Sequence, residues 1–397
     1  MRVRRCAVVF VEPRETPGFD LADLLSGGTG LVHRREWIAL AAHLDAGVVL
    51  DEAAVGVLGR LSADAWQTMA SLRTAFAEEA IDFLLAHGLL IGDGDAHACV
   101  RAADECVRAG HWLALSAVYH RHTRWRGVDT LEAERRFGRE TDRSLLEQLG
   151  PPEPPVCEHR AAGDRIGLAR GDATALESLA RARVTCRNYA RGRSVPQALF
   201  AQTLFRAFGA RAVSDQPGIT VMKRAVPSAG GLHATSAYLL VQDVEGVPAG
   251  LYHYHPIDHA LEPLAAIERA ETAALALRLV AGQRHFMHAQ VVIVLAARFR
   301  RTFWKYRDHA KAHRALILDA GHLSQMLYLA ATECGLAAFI TAAVNEVDIE
   351  QTFALDPATE GVVAVCGFGW RGDTVEEVEF DPLAAAWPPG TMDAAGR

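Results

Sequence analysis

The segment Arg183-Val184-Thr185-Cys186-Arg187-Asn188-Tyr189 carries the residues best suited to holding a charged ligand. In an extended chain alternate side chains share a face, so Arg183, Thr185 and Arg187 converge. Arginine makes planar, charge-assisted, bidentate bonds, and two guanidiniums beside a hydroxyl suit a phosphate. A solvated basic face would look the same in isolation. Further on, Pro227-Ser228-Ala229-Gly230-Gly231-Leu232-His233 strings small residues together. Such a run lets a planar ligand approach the backbone, whose N–H groups can bond ring heteroatoms, or it is an ordinary turn. A third stretch, Trp304-Lys305-Tyr306-Arg307, sets two proton-transfer groups side by side. Both are tunable by burial, unless they are an exposed lysine and a core tyrosine.

Taken in order, the first two motifs and Gly250-Leu-Tyr-His-Tyr254 resemble the nitroreductase superfamily. Trp304-Lys-Tyr-Arg307 and Leu318-Asp-Ala-Gly-His-Leu323 narrow the resemblance to the SagB-type dehydrogenases, over about residues 176–370. The resemblance implies FMN as cofactor. Arg183, Thr185 and Arg187 would hold its phosphate and ribityl chain, and Pro227, Ser228, Ala229, Gly230 and Gly231 would line its ring. The backbone around Thr341, Ala342 and Ala343 would approach the ring's reactive edge, and Arg371 would add a phosphate contact. In azoline-oxidising members an adjacent Lys-Tyr pair carries the chemistry, which points to Lys305 and Tyr306.

The implied function is an FMN-dependent dehydrogenase that matures ribosomally made precursor peptides, oxidising azolines to azoles or a related residue. A homodimer with flavin at its subunit interface, working beside other maturation enzymes, is implied too. Two alternatives remain: an NAD(P)H-dependent nitro or quinone reductase, and a leader-binding scaffold with a degenerate flavin fold. Val184 and Gln325, standing where the family usually has Arg and Asn, keep the scaffold reading in play.

The elements that must position these residues divide the chain in three. Residues 1–95 alternate strands with three short helices. Val48 to Leu50 reads as a strand, Asp51 caps a helix from Ala53 to Leu61, Ser62 caps the next, and Ala75 to His87 closes at Gly88. This pattern is winged-helix-like and resembles the leader-recognition elements of ribosomal peptide pathways, in which a peptide adds as a strand to an open sheet edge. Residues 96–175 form a helical linker with the stiff Pro151-Pro-Glu-Pro-Pro155. Residues 176–397 form the nitroreductase-like domain. Helices are expected over Pro196–Gly209, Glu268–Ala281 and His309–Cys334, and strands over Tyr238–Gln242, Leu251–Tyr254, Gln290–Ala296 and Val362–Cys366. The expected fold class is α+β, a mixed sheet flanked by helices.

Composition excludes several classes. Half of the 397 residues are hydrophobic and the net charge is -7, which suits a packed protein with no global attraction to nucleic acid or anionic membranes. The apolar runs Cys6 to Val11 and Ala289 to Ala297 are too short for a signal peptide or a membrane span, so a cytoplasmic location is expected. The opening residues read instead as an edge strand. Seven cysteines without a C-x-x-C argue against a disulfide framework or zinc site. His253 with His255, and His309 with His313, lack a third ligand nearby in sequence, so no metal is expected. No G-x-G-x-x-G dinucleotide fingerprint or phosphate-binding P-loop occurs.

Overall fold

The computed structural model describes residues 1–139, 141–157, 165–389 and 391, divided between two units that interleave along the chain. The first takes residues 1–124, 298–316 and 355–361; the second takes 125–297, 317–354 and 362–397. Residues 158–164 of the expected linker and 392–397 of the expected C-terminal domain lie outside the described residues.

In the first unit, β1 (Arg2–Arg5) runs between β5 (Gln67–Thr68) and β6 (Leu90–Gly92), antiparallel to both. Three helices, Glu52–Arg60, Met69–Ala75 and Glu78–Ala86, pack over that sheet through Val57, Leu72, Ile81 and Leu84, all at most 1% exposed. The three helices expected in this stretch are present, with the short strand β5 lying between the first and the second. Asp51 does cap its helix, accepting from Ala54 N–H at 2.7 Å. Ser62 does not: its hydroxyl takes the N–H groups of Asp64 and Ala65 in a turn, and Thr68 caps the next helix.

The opening residues are central rather than marginal, since β1 is paired on both sides. The edge strand is β2 (Val9–Phe19), which forms a long hairpin with β3 (Leu31–Ala41). Pro13 and Pro17 are tolerated there because an edge strand can leave one row of N–H positions unpaired. Strand β4 (Val48–Leu50) pairs with the other side of β3.

The second unit holds a six-stranded sheet of order β11-β10-β9-β12-β14-β13. Its strands are β9 (Thr235–Val241), β10 (Gly250–His255), β11 (Ala260–Ala266), β12 (Val291–Arg298), β13 (Ala337–Thr341) and β14 (Glu360–Gly369). Residues 291–297 of β12 are fully buried, as expected of a continuous apolar run in the middle of a sheet covered on both faces. The helices Gln197–Phe208 and Ala312–Glu333 supply Phe200, Leu204, Phe208, Leu323 and Leu327 to the same core. A separate hairpin, β7 (Ala212–Gln216) with β8 (Ile219–Lys223), is mostly exposed and mixes polar with apolar residues, so its periodicity is weak in the sequence.

Candidate functional site

The segment from Arg183 to Arg187 alternates as an extended chain should. Val184 and Cys186 are buried, at 8% and 0% exposed, while Arg183, Thr185 and Arg187 lie half-buried on the other face. The segment adds to the sheet beside β13: Thr185 bridges Ala338 in parallel, and Cys186 N–H donates to the Ala338 carbonyl at 2.9 Å. Tyr328, on the helix Ala312–Glu333, braces this face. Its hydroxyl lies 3.0 Å from that of Thr185, and the Arg183 guanidinium sits 5.2 Å from its ring centroid, within cation–π range. Burial pushes the Tyr328 phenol up, so it stays protonated and can donate.

Arg187 faces a cavity of about 270 Å³ that it shares with Arg191, Arg284, His285 and His288, opposed by Glu376 and Glu377. Burial, and then the Arg187 charge, push His285 down to about 4. It is therefore neutral at pH 7, leaving three guanidiniums as the site's fixed positive charge. The backbone below is pinned by Glu379, which is 1% exposed. Its carboxylate accepts the N–H groups of Arg187 (2.6 Å) and Asn188 (3.1 Å), the Trp387 indole N–H (2.9 Å) and the Arg371 guanidinium. Arg371 thus spends part of its fork on a buried carboxylate that holds Arg187 in place.

The glycine-rich segment forms a tight turn with Gly230 at φ 60° and Gly231 at φ 70°, conformations that glycine adopts without strain. A Cβ built on Gly231 would meet nothing within 4 Å, so the turn has open space beside it. Pro227, Ser228 and Gly231 line a cavity of about 370 Å³ together with Val213, Val221 and Val226. This open side fits a flat ring against the backbone.

Thr341 ends β13, and Ala342 beyond it is exposed. Gln283 stitches that loop: its amide N–H donates to the Ala343 carbonyl at 2.7 Å, and its Oε1 accepts from the Thr341 hydroxyl at 3.1 Å. Thr185 bridges β13 at Ala338 and Thr341 ends the same strand, which sets the first and third of the expected flavin-binding stretches along one strand.

Lys305 and Tyr306 fall in the other unit, at the end of the helix Phe299–Lys305. Lys305 is exposed, with Nζ 5.6 Å from the Tyr306 ring centroid, and that ring lies 6.1 Å from His309. His253 and His255 are engaged with Glu262 and Asp258, and His313 packs among Trp112, Tyr119 and Phe299. Among the described residues no group of three or more His, Cys, Asp or Glu is placed to hold a metal ion. No helix among them is long and apolar enough to cross a membrane.

Sequence reasoning missed Gln283, Arg284, Tyr328 and Glu379, and named Asp319 only within the motif Leu318-Asp-Ala-Gly-His-Leu323, with no role. Gln283-Arg284-His285 immediately before the buried strand β12 was a usable signal. Tyr328 and Glu379 are brought in by tertiary contacts, 143 and 192 residues from their partners Thr185 and Arg187.

The α+β fold of the second unit agrees with the comparisons with known proteins. Residues 180–370 match the family model described as the nitroreductase family. A protein of Methanocaldococcus jannaschii described as a nitroreductase is 32% identical over 148 residues, 37% of this chain and 69% of that one. The chain belongs to the nitroreductase family. Members of this family are oxidoreductases that typically bind a flavin.

Two peptide-processing proteins are also similar. The trifolitoxin-processing protein TfxB of Rhizobium leguminosarum bv. trifolii is 31% identical over 147 residues, 36% of this chain and 38% of that one. The microcin B17-processing protein McbC of Escherichia coli is 29% identical over 165 residues, 39% of this chain and 57% of that one. The chain thus spans well under two thirds of either processing protein. Among solved structures, the E. coli microcin synthetase McbBCD complex with truncated pro-MccB17 bound has a TM-score of 0.46 at 23% identity, covering 66% of this chain and 93% of that one.

Proposed function

We propose that this protein is an FMN-dependent dehydrogenase of the SagB type, which oxidises azolines to azoles, or a related residue, in a ribosomally made precursor peptide. The observation that carries the proposal is that one helix braces Arg183 and Thr185 through Tyr328 and the glycine turn through Asp319, in a chain similar to two peptide-processing proteins. Arg183, Thr185 and Arg187 would hold the FMN phosphate and ribityl chain, with Arg371 as a further contact. Arg284 would join them from across the cavity. Pro227 to Gly231 would lie along the ring, and the exposed backbone at Ala342 would meet its edge.

When bound, FMN supplies the two-electron acceptor that removal of hydrogen from a Cα–Cβ bond requires. This chain's own part is positioning and proton transfer. Lys305 or Tyr306 would take the Cα proton, a role open to either side chain. Residues 1–95 would bind the precursor's leader as an added strand on the open edge of β4 or β2. A homodimer, other maturation enzymes as partners and a cytoplasmic location belong to the same proposal.

The M. jannaschii relative favours a second reading, a general NAD(P)H-dependent reductase. Anaerobic mixing separates the two. Bleaching of the flavin absorbance by azoline-containing peptide but not by NADPH supports the dehydrogenase; rapid bleaching by NADPH alone supports the reductase.

A further inference from the structure

The motif Leu318-Asp319-Ala-Gly-His-Leu323 has no task in the mechanism above, yet its aspartate is 6% exposed and aimed at the glycine turn. The Asp319 carboxylate accepts the Ser228 hydroxyl and, at 3.1 Å, the Ala229 N–H. The Ser228 oxygen in turn accepts the His233 N–H at 2.9 Å, so one buried carboxylate ties both ends of the turn. Three residues between those ends and at the second are left-handed: Gly230, Gly231, and His233 at φ 46°. For histidine that backbone is strained, and strain persists where its surroundings over-determine it. Burying a carboxylate is costly unless hydrogen bonds compensate, and here both donors come from the turn.

We propose that Asp319 is a positioning residue: it sets this left-handed turn before the cofactor arrives, so that the open side of Gly231 already faces the ring. The inference rests on the proposed flavin reading. Pre-ordering of this kind raises affinity by removing the cost of ordering the loop on binding. Asparagine at 319 would keep an oxygen for the Ala229 N–H and offer its amide to the Ser228 oxygen; alanine would keep neither.

The test uses the full chain stripped of flavin, with Asp319→Ala, Asp319→Asn and Ser228→Ala, and with FMN as the probe. Asp319→Ala should weaken FMN binding roughly tenfold or more, from two lost hydrogen bonds. Asp319→Asn should stay within roughly threefold of wild type, and Ser228→Ala should fall between them. Amide exchange of residues 229–233, measured without flavin, should quicken in Asp319→Ala and Ser228→Ala. A residue that merely fills the core would lower Tm and leave both readouts alone. Wild-type FMN affinity in Asp319→Ala, or in Ser228→Ala should the first not fold, overturns the positioning role while the flavin reading stands. A wild-type protein that takes up no FMN overturns the flavin reading, and the assignment of this turn to a ring with it.

Discussion

Asp319 and Tyr328 stand nine residues apart on one helix, and both are 6% exposed. At about 100° per residue their side chains leave the helix on opposite sides, roughly 13 Å apart along its axis. Asp319 grips the glycine turn, and Tyr328 braces Arg183 and Thr185. On the solvent side between them run Leu318, Gly321, His322 and Gln325, all exposed. A ring lying on the turn and a phosphate held by the arginines are therefore served from opposite edges of the helix. We propose that a second copy docks on the exposed strip, so that each flavin would lie between two subunits, one supplying the turn and the other the arginines.

If Arg183 and Arg187 hold the phosphate, replacing both with alanine should weaken FMN at least about 100-fold, since each charge-assisted contact contributes about 1.5–3 kcal/mol. Flavin absorbance of the purified variant against wild type measures this. Full occupancy in the double variant would remove these residues from the site.

Lys305→Ala and Tyr306→Phe should remain yellow and lose about 10²–10⁴-fold in peptide oxidation, the usual cost of removing a positioned acid–base group. Steady-state turnover and flavin content, measured on the same samples, separate the two effects. Near wild-type turnover in both variants would send the proton elsewhere; loss of flavin in either would give the pair a share in shaping the site.

The acid limb of stability should depend on His285. Its folded pKa of about 4 lies below the ordinary imidazole value of 6.5, so the unfolded chain binds the proton more readily. The native preference for the neutral ring is fully present above pH 6.5 and is lost as pH falls toward 4, at most about 3 kcal/mol. His285→Gln should flatten the decline in denaturant stability of the flavin-free protein between those limits. An unchanged slope would mean that the ring is not buried as described.

Deleting residues 1–95 should leave flavin bound, since the proposed flavin-holding residues all lie in the second unit, and raise the peptide's KM through the lost leader contacts. An unchanged KM would assign that segment to structure alone.

Much of this was legible in the sequence because local chemistry wrote it. Arg183, Thr185 and Arg187 alternate with buried Val184 and Cys186, and Gly230 and Gly231 announce a turn that only glycine makes cheaply. The apolar run of β12 reads as a buried strand. What escaped was set by contacts remote in sequence. Nothing around Glu379 marks it as the anchor of Arg187 and Arg371, and Asp319 looks like any helical acid until the fold brings Ser228 to it. The β7–β8 hairpin escaped for the opposite reason, since exposed strands lose the apolar alternation by which strands are read.

Mixing two defective subunits tests the shared flavin site most directly. One carries Arg183→Ala and Arg187→Ala; the other carries Gly231→Val, which fills the open side of the turn. Each alone should bind little FMN. Unfolded together and refolded, about half of the dimers pair one of each, and every such dimer holds one site with both defects and one with neither. The account predicts that about a quarter of the wild-type flavin returns in the mixture. A mixture as colourless as its two components would contradict it, because each site would then be built within a single subunit.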